Sequence, residues 1–371
     1  MKTFHCTACQ ALVFFENTRC LTCNVDLAFV PDKMSMRSLV RQSDGSWRTV
    51  DESAGDGGAY RLCANYVEHG ICNWAIAADA PGAFCLACSL TQIIPDLRVS
   101  GNREAWAKLE TAKRRMIFGL LSLNLEVIRK QDAPTQGVAF QFLSDVTWQG
   151  DRSRVLTGHD NGIITVNVAE ADDVHRESER ALHAEPYRTL LGHFRHEIGH
   201  YYWDRLILGT ERTGPFRELF GDERADYTAA LSRHYEQGAP SDWCEKYISA
   251  YASTHPWEDW AESWAHVMHM VDALETAQAV GLSLQPQRGD EPALVGSTAR
   301  SRSRIADVDQ LISDWYALTY VLNNLTRGLG LADAYPFVLS TPVVEKLRFI
   351  CATIVAAEGV TTVESPTSVA A

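Results

Sequence analysis

The sequence predicts an α+β chain: small metal-stapled modules at the N-terminus, then a mainly helical domain with a small β-sheet. Three observations carry this expectation. Eight of the ten cysteines fall between residues 6 and 88 of a 371-residue chain. Two short runs rich in β-branched and aromatic residues, "GVAFQFL" (137–143) and "GIITVNV" (162–168), flank the turn-rich "GHDNG". From residue 186 onward, apolar residues recur at helical spacing in five segments.

The head spans residues 1–95. Its first cysteine group is Cys6-x2-Cys9-x10-Cys20-x2-Cys23. Each C-x-x-C pair puts two thiolates on one tight turn, and two such turns make a closed tetrahedral site, as in a zinc ribbon. The second group, Cys63-x8-Cys72-x12-Cys85-x2-Cys88, has one knuckle-spaced pair and the residues for a second such site. Closed four-thiolate sites are structural, and they suit zinc or iron. Cys244 and Cys351 stand apart from both groups and read as buried apolar residues. Between the groups, "DGSWRTVDESAGDGGAYR" reads as a loop or weak hairpin.

The larger domain spans 96–356. Asn102 or Ser100 caps a helix in "NREAWAKLETAKRRMIFGLLSLN", with Trp106, Leu109, Met116, Leu120 and Leu123 on one face. Beyond the two strands, Pro186 suits the first turn of a helix through "PYRTLLGHFRHEIGHYYWDRLI". Further helices are expected near 216–236, after His255-Pro256, near 306–325 and near 341–356. The Gly/Pro/Ser-rich stretch 279–304 reads as a loop, and residues 357–371 as a flexible tail.

Net charge is −13, which argues against nucleic acid and anionic membrane as partners, although "KRR" at 113–115 offers a local basic string. No secretory signal and no run near the ~18 apolar residues of a membrane span is found. A cytoplasmic chain with reduced thiols follows as the expectation, and in that compartment cysteine pairs read as metal ligands.

His196-Glu197-Ile198-Gly199-His200 is an H-E-x-x-H pattern. On a helix, positions i and i+4 face the same way, so His196 and His200 point at one ion. In enzymes with this pattern the zinc activates a water, and the glutamate polarises it and shuttles its proton as general base. Catalytic zinc needs a third protein ligand and an open position. Asp222, Glu223 and Asp226 in "FGDERADY" and Glu258 and Glu262 in "HPWEDWAESWAH" are the candidates. Glu258 and Glu262 stand at i and i+4 among Trp257, Trp260 and Trp264, where one could bind metal and the other accept a hydrogen bond from a ligand imidazole.

"YRTLLGHFRHEIGHYYWDRL", "FRELFGDERADY" and "ISAYASTHPWEDWAESWAH", behind "CTACQALVFFENTRCLTC", closely resemble the bacterial family of zinc-binding metallopeptidases with a zinc-ribbon head. The likeness covers nearly the whole chain apart from the tail. More distantly, the larger domain resembles gluzincins of the anthrax-lethal-factor type. The resemblance implies a zincin-like catalytic domain. It selects Glu258 as third ligand and Glu262 as the partner of a ligand imidazole. Tyr251, seven residues before Glu258, becomes a donor to the oxyanion of a tetrahedral intermediate, with His255 as runner-up. His193 reads as a packed or solvent-facing histidine, and "GIITVNV" as an edge strand open to an extended substrate. The implied function is a zinc-dependent metallohydrolase, a peptidase acting on a protein or peptide substrate, with one catalytic and two structural zinc ions. The alternative is a zinc-containing binding or regulatory module, in which the H-E-x-x-H zinc is structural and the head recruits a partner.

Overall fold

The computed structural model describes residues 2–50, 58–148, 151–153, 155–183, 189–294 and 305–357. Parts of four expected features lie outside these residues: Pro186, 51–57 of the Gly/Asp-rich segment, 295–304 of the expected loop and the tail from 358. The described residues form two compact units. The first holds 2–118, 128–183 and 189–194, and the second holds 119–127 and 195–357. The architecture is α+β, with a cysteine-rich N-terminal region ahead of a mainly helical domain.

The first unit begins with a two-stranded hairpin, Phe4–His5 with Leu12–Val13. In the first cysteine group the residue after each C-x-x-C pair, Gln10 at φ 62° and Asn24 at φ 61°, turns left-handed and closes a knuckle. A five-stranded antiparallel sheet follows in chain order: Asp26–Val30, Ser35–Arg41, Trp47–Thr49, Tyr60–Leu62 and Ala75–Ala77. One of its faces buries Ala28, Val30, Leu39, Tyr60 and Ala75. Phe15, Phe29, Trp74 and Phe118 pack edge-on or tilted beside it, and Phe118 comes from the helix Asn102–Ser122. That helix also buries Glu110 and Lys113 as an ion pair at 2.9 Å. The "KRR" string is therefore no basic surface: Lys113 and Arg114 are buried and Arg115 pairs with Glu16 at 2.5 Å.

A four-stranded sheet completes the unit, ordered Gly158–Asp160, Ile163–Asn167, Ala139–Leu143, Thr91–Ile93. Ile163–Asn167 runs parallel to Ala139–Leu143 and antiparallel to Gly158–Asp160. It is flanked on both sides and is not the expected edge strand. Asn161 and Gly162, at φ 48° and 75°, form the two-residue turn that folds Gly158–Asp160 back onto it.

The second unit is helical and built on Pro256–Ala279. This helix is buried around most of its circumference, from Glu258 through Val271 with few exceptions. The end of Leu190–Leu206, with Thr213–Phe220, Val308–Gly328 and Thr341–Ala356, makes up the rest of the core. The helix expected near 216–236 is two helices, Thr213–Phe220 and Tyr227–Gln237. Gly221 at φ 101° stops the first, and the Asp226 carboxylate caps the second by accepting from Ala229 N at 3.0 Å. No helix among the described residues is long and apolar enough to cross a membrane.

His266 is buried in this core, its Nδ1 2.6 Å from Tyr335 Oη and its ring edge-on to Phe337. Burial holds its pKa down to about 4, and the Glu262 charge offsets little of that. The folded pKa lies below the unfolded value of about 6.5. The unfolded chain therefore takes the proton first as pH falls. The stability is present above pH 6.5 and lost between 6.5 and 4. We expect His266 alone to cost roughly 2 kcal/mol between pH 7.5 and 5. Thermal melts of wild type and His266→Gln at both pH values measure it, and parallel pH slopes in the two proteins would place the loss elsewhere.

Candidate metal centre

His196 and His200 sit one turn apart on Leu190–Leu206, with their Nε2 atoms 3.1 Å apart. Glu258 lies in the first turn of Pro256–Ala279. His255 caps that helix through Nδ1, which accepts from Trp257 N at 3.2 Å, and Pro256 supplies a preset φ. A carboxylate in a first helical turn is favoured by the helix dipole. Glu258 Oε2 lies 2.9 Å from His196 Nε2 and 3.6 Å from His200 Nε2. The three atoms form one group able to hold an ion.

Glu262, one turn on, accepts from His196 Nδ1 through Oε1 at 2.8 Å. Its Oε2 accepts from Ser249 Oγ at 2.7 Å, and Ser249 Oγ accepts from Ala252 N at 3.0 Å. With its Nδ1 proton given to Glu262, neutral His196 turns a bare Nε2 lone pair toward the carboxylate of Glu258. Two lone pairs at such a distance repel unless a cation or proton lies between them. Glu258 Oε2 is buried and makes no hydrogen bond. Zinc with ligands at 2.0–2.2 Å would set neighbouring donors about 3.3 Å apart, and the three separations bracket that value. The donor set fits zinc.

The electrostatics agree. Burial alone would lower the His196 pKa, but Glu258 and Glu262 on either side hold it well above the usual imidazole value. Burial would raise Glu258, but His200 and His196 hold it well below the carboxylate range. Positive charge belongs between these groups, as a proton or as a metal ion.

Glu197 is buried, and its Oε2 makes no hydrogen bond. The ring of Tyr251 lies 6.0 Å from that of His196. Burial, then the charge of Glu258, keeps the Tyr251 phenol protonated and so a donor. Tyr227, from the first turn of its helix, donates to Glu258 Oε1 at 2.7 Å. Burial, then Glu258, raises its pKa too.

The eight head cysteines gather as two sets, Cys6, Cys9, Cys20, Cys23 and Cys63, Cys72, Cys85, Cys88. The Sγ separations Cys6–Cys23, Cys9–Cys20 and Cys72–Cys85 are 3.6, 3.7 and 3.7 Å. Four thiolates 2.3 Å from one zinc stand about 3.8 Å apart, so both sets fit that ion. Cys351 is buried, whereas Cys244 is exposed on the short helix Trp243–Lys246, against expectation: that helix has no buried residue.

Residues 102–353 match the family described as "Putative zinc-binding metallo-peptidase", and residues 3–99 match a zinc-ribbon domain. The chain belongs to this metallo-peptidase family. Uncharacterized proteins of Mycobacterium bovis and Mycobacterium tuberculosis are 42% identical to it over 352 residues, covering 94% of this chain and 94% of theirs. No solved structure matches.

In this metallo-peptidase chain, other residues raised by the sequence lie in different surroundings. Asp222 pairs with Arg224 at 2.7 Å, Glu223 with Arg217 at 2.5 Å, and Asp226 caps its helix. His255 is engaged at both nitrogens, at Trp257 N and at the Ala225 carbonyl oxygen, 3.1 Å away. His193 faces Glu170 at 3.3 Å in the first unit. Tyr227 and Ser249 were not singled out by the sequence. Tyr227 ends the "FGDERADY" string, but no spacing rule links it to a carboxylate 31 positions later.

Gly199, inside the motif, lets the two helices meet. A Cβ there would stand 3.1 Å from Ala261 Cα and 3.2 Å from the Trp264 side chain. Trp260 Nε1 donates to the Gly199 carbonyl oxygen at 2.9 Å. Alanine would gain about 1 kcal/mol of helix propensity but incur an overpacking cost of about 1–3 kcal/mol. We expect Gly199→Ala to lower the melting temperature and weaken zinc binding at the His196 site, as read by thermal melts and zinc titration. A more stable variant with unchanged zinc affinity would show that the close approach does not matter.

Proposed function

We propose that the chain is a zinc-dependent peptidase whose catalytic metal is held by His196, His200 and Glu258. The observation that supports this most is the convergence of their three donor atoms on one point, in a chain whose motif also carries a buried Glu197 with an unbonded Oε2. Zinc there supplies a Lewis acid and brings the pKa of a water to about 7.

Glu197 takes the proton of the attacking water as general base and later gives it to the leaving amine nitrogen. Its free Oε2 is the acceptor for that proton. Tyr251, held protonated beside His196, donates to the oxyanion that forms on the substrate carbonyl. Glu262 and Ser249 fix the His196 ring and its tautomer. The eight thiols hold two structural zinc ions in the head. Reduced thiols suit a cytoplasmic setting, and the substrate is a protein or peptide.

Glu197→Gln is expected to lower cleavage by about 10²–10⁴-fold while zinc content stays the same. Comparing newly formed protein termini between wild type and this variant identifies the substrate, and undiminished cleavage would sink the assignment of Glu197. In parallel, metal analysis of wild type should find three zinc per chain, with His196→Ala losing one and keeping the thiolate pair. Two zinc in wild type and no cleavage would favour the binding-module reading.

A further inference from the structure

The two oxygens of Glu258 have different surroundings. Oε2 faces His196 and His200 and makes no hydrogen bond, whereas Oε1 accepts the Tyr227 phenol at 2.7 Å. We propose that Tyr227 is a positioning residue that restricts Glu258 to one-oxygen coordination of the metal. This rests on the metal site of the preceding reading and extends it to a residue that the H-E-x-x-H pattern does not contain.

A carboxylate within reach of an ion can bind through one oxygen or both. Two-oxygen binding would fill a position that a hydrolytic site must keep open. A hydrogen bond from a protonated phenol occupies Oε1 and turns it away from the ion. Tyr227 is placed to hold that bond. It occupies the first helical position after the Asp226 cap, and its ring packs against His255 at 5.2 Å and Trp257 at 6.2 Å. Those two residues flank the start of the helix that carries Glu258. Tyr227 and Glu258 thus share one rigid corner, and the phenol cannot swing away without disturbing it.

The test uses the full chain as wild type, Tyr227→Phe and His196→Ala. Dipicolinate removes the metal from the histidine site while the thiolate zinc is retained, and cobalt(II) is added as a probe. Wild type should show the strong visible bands of four-coordinate cobalt. Tyr227→Phe should show weaker bands of higher coordination number and a 10–100-fold loss of zinc affinity at this site. Tyr251→Phe, by contrast, should lower turnover and leave both readouts unmoved. If Tyr227→Phe does not fold, Tyr227→His keeps a ring in the slot but falls short of Oε1, and the same losses are expected. Unchanged cobalt spectrum and zinc affinity in Tyr227→Phe, with cobalt uptake lost in His196→Ala, would overturn the role of Tyr227 alone. No cobalt uptake by stripped wild type would overturn it together with the metal site.

Discussion

The candidate site depends on one close approach between two helices. Leu190–Leu206 and Pro256–Ala279 meet where Gly199 faces Ala261 and Trp264, so near that a Cβ on Gly199 would crowd both. Helices carrying ordinary side chains at the contact pack 8–10 Å apart, and a glycine facing an alanine permits the lower end. The same contact is tied by Trp260 Nε1 to the Gly199 carbonyl. Gly199 stands one residue before His200, and Ala261 three after Glu258. The packing contact and the metal-facing side chains therefore belong to the same two turns. Spacing between the helices and spacing among the donor atoms are one quantity.

That geometry carries an electrostatic load. Glu258 and Glu262 flank His196 in a largely dry corner, Glu197 is buried as well, and buried carboxylates are costly without a cation or donors. Three donors offset part of the cost: Ser249 on Glu262, Tyr227 on Glu258, and the Nδ1 proton of His196 on Glu262. What they leave uncovered is directional. Glu258 Oε2 and Glu197 Oε2 remain buried without hydrogen bonds. A purely structural cluster would gain by covering both. An ion and a moving proton each need one left bare.

Much of this was legible in the sequence, for reasons that vary by element. The α+β class and the ribbon head follow from rules of local spacing: C-x-x-C knuckles, β-rich runs beside Asn-Gly, and apolar residues at helical intervals. Pro256 marked a helix start because proline and its capping neighbour act within one turn. His196 and His200 could be paired because i and i+4 share a face. The third donor could not be chosen by spacing: Asp222, Glu223, Asp226, Glu258 and Glu262 were all open, and only the family resemblance preferred Glu258. The structure shows Asp222 and Glu223 held by arginines and Asp226 by a helix end. The break at Gly221 was missed because the apolar pattern on either side stays helical in period. The strand Gly158–Asp160 was missed because three residues carry too little pattern, and its presence takes away the edge of Ile163–Asn167. Tyr227 depends on tertiary contact alone.

The two kinds of metal-ready cluster divide their work by donor chemistry. Four thiolates around a dication leave the unit doubly negative, saturated and without an open position, which suits a clamp for short strands and turns. Cys6, Cys9, Cys20 and Cys23 join two knuckles that could not otherwise be held by so small a core. Two neutral imidazoles and one carboxylate around the same dication leave it singly positive, with room for a further ligand. Such a centre draws electron density from a bound carbonyl or water, as a saturated thiolate site does not. The phenols of Tyr227 and Tyr251 sharpen the difference. Held protonated, they add hydrogen-bond donors at this corner without adding negative charge. Exchanging the donor sets would leave the helical unit without a place for such an electrophile. It would also put an unsaturated cation in the head, where a clamp for short strands and turns gains nothing from an open position.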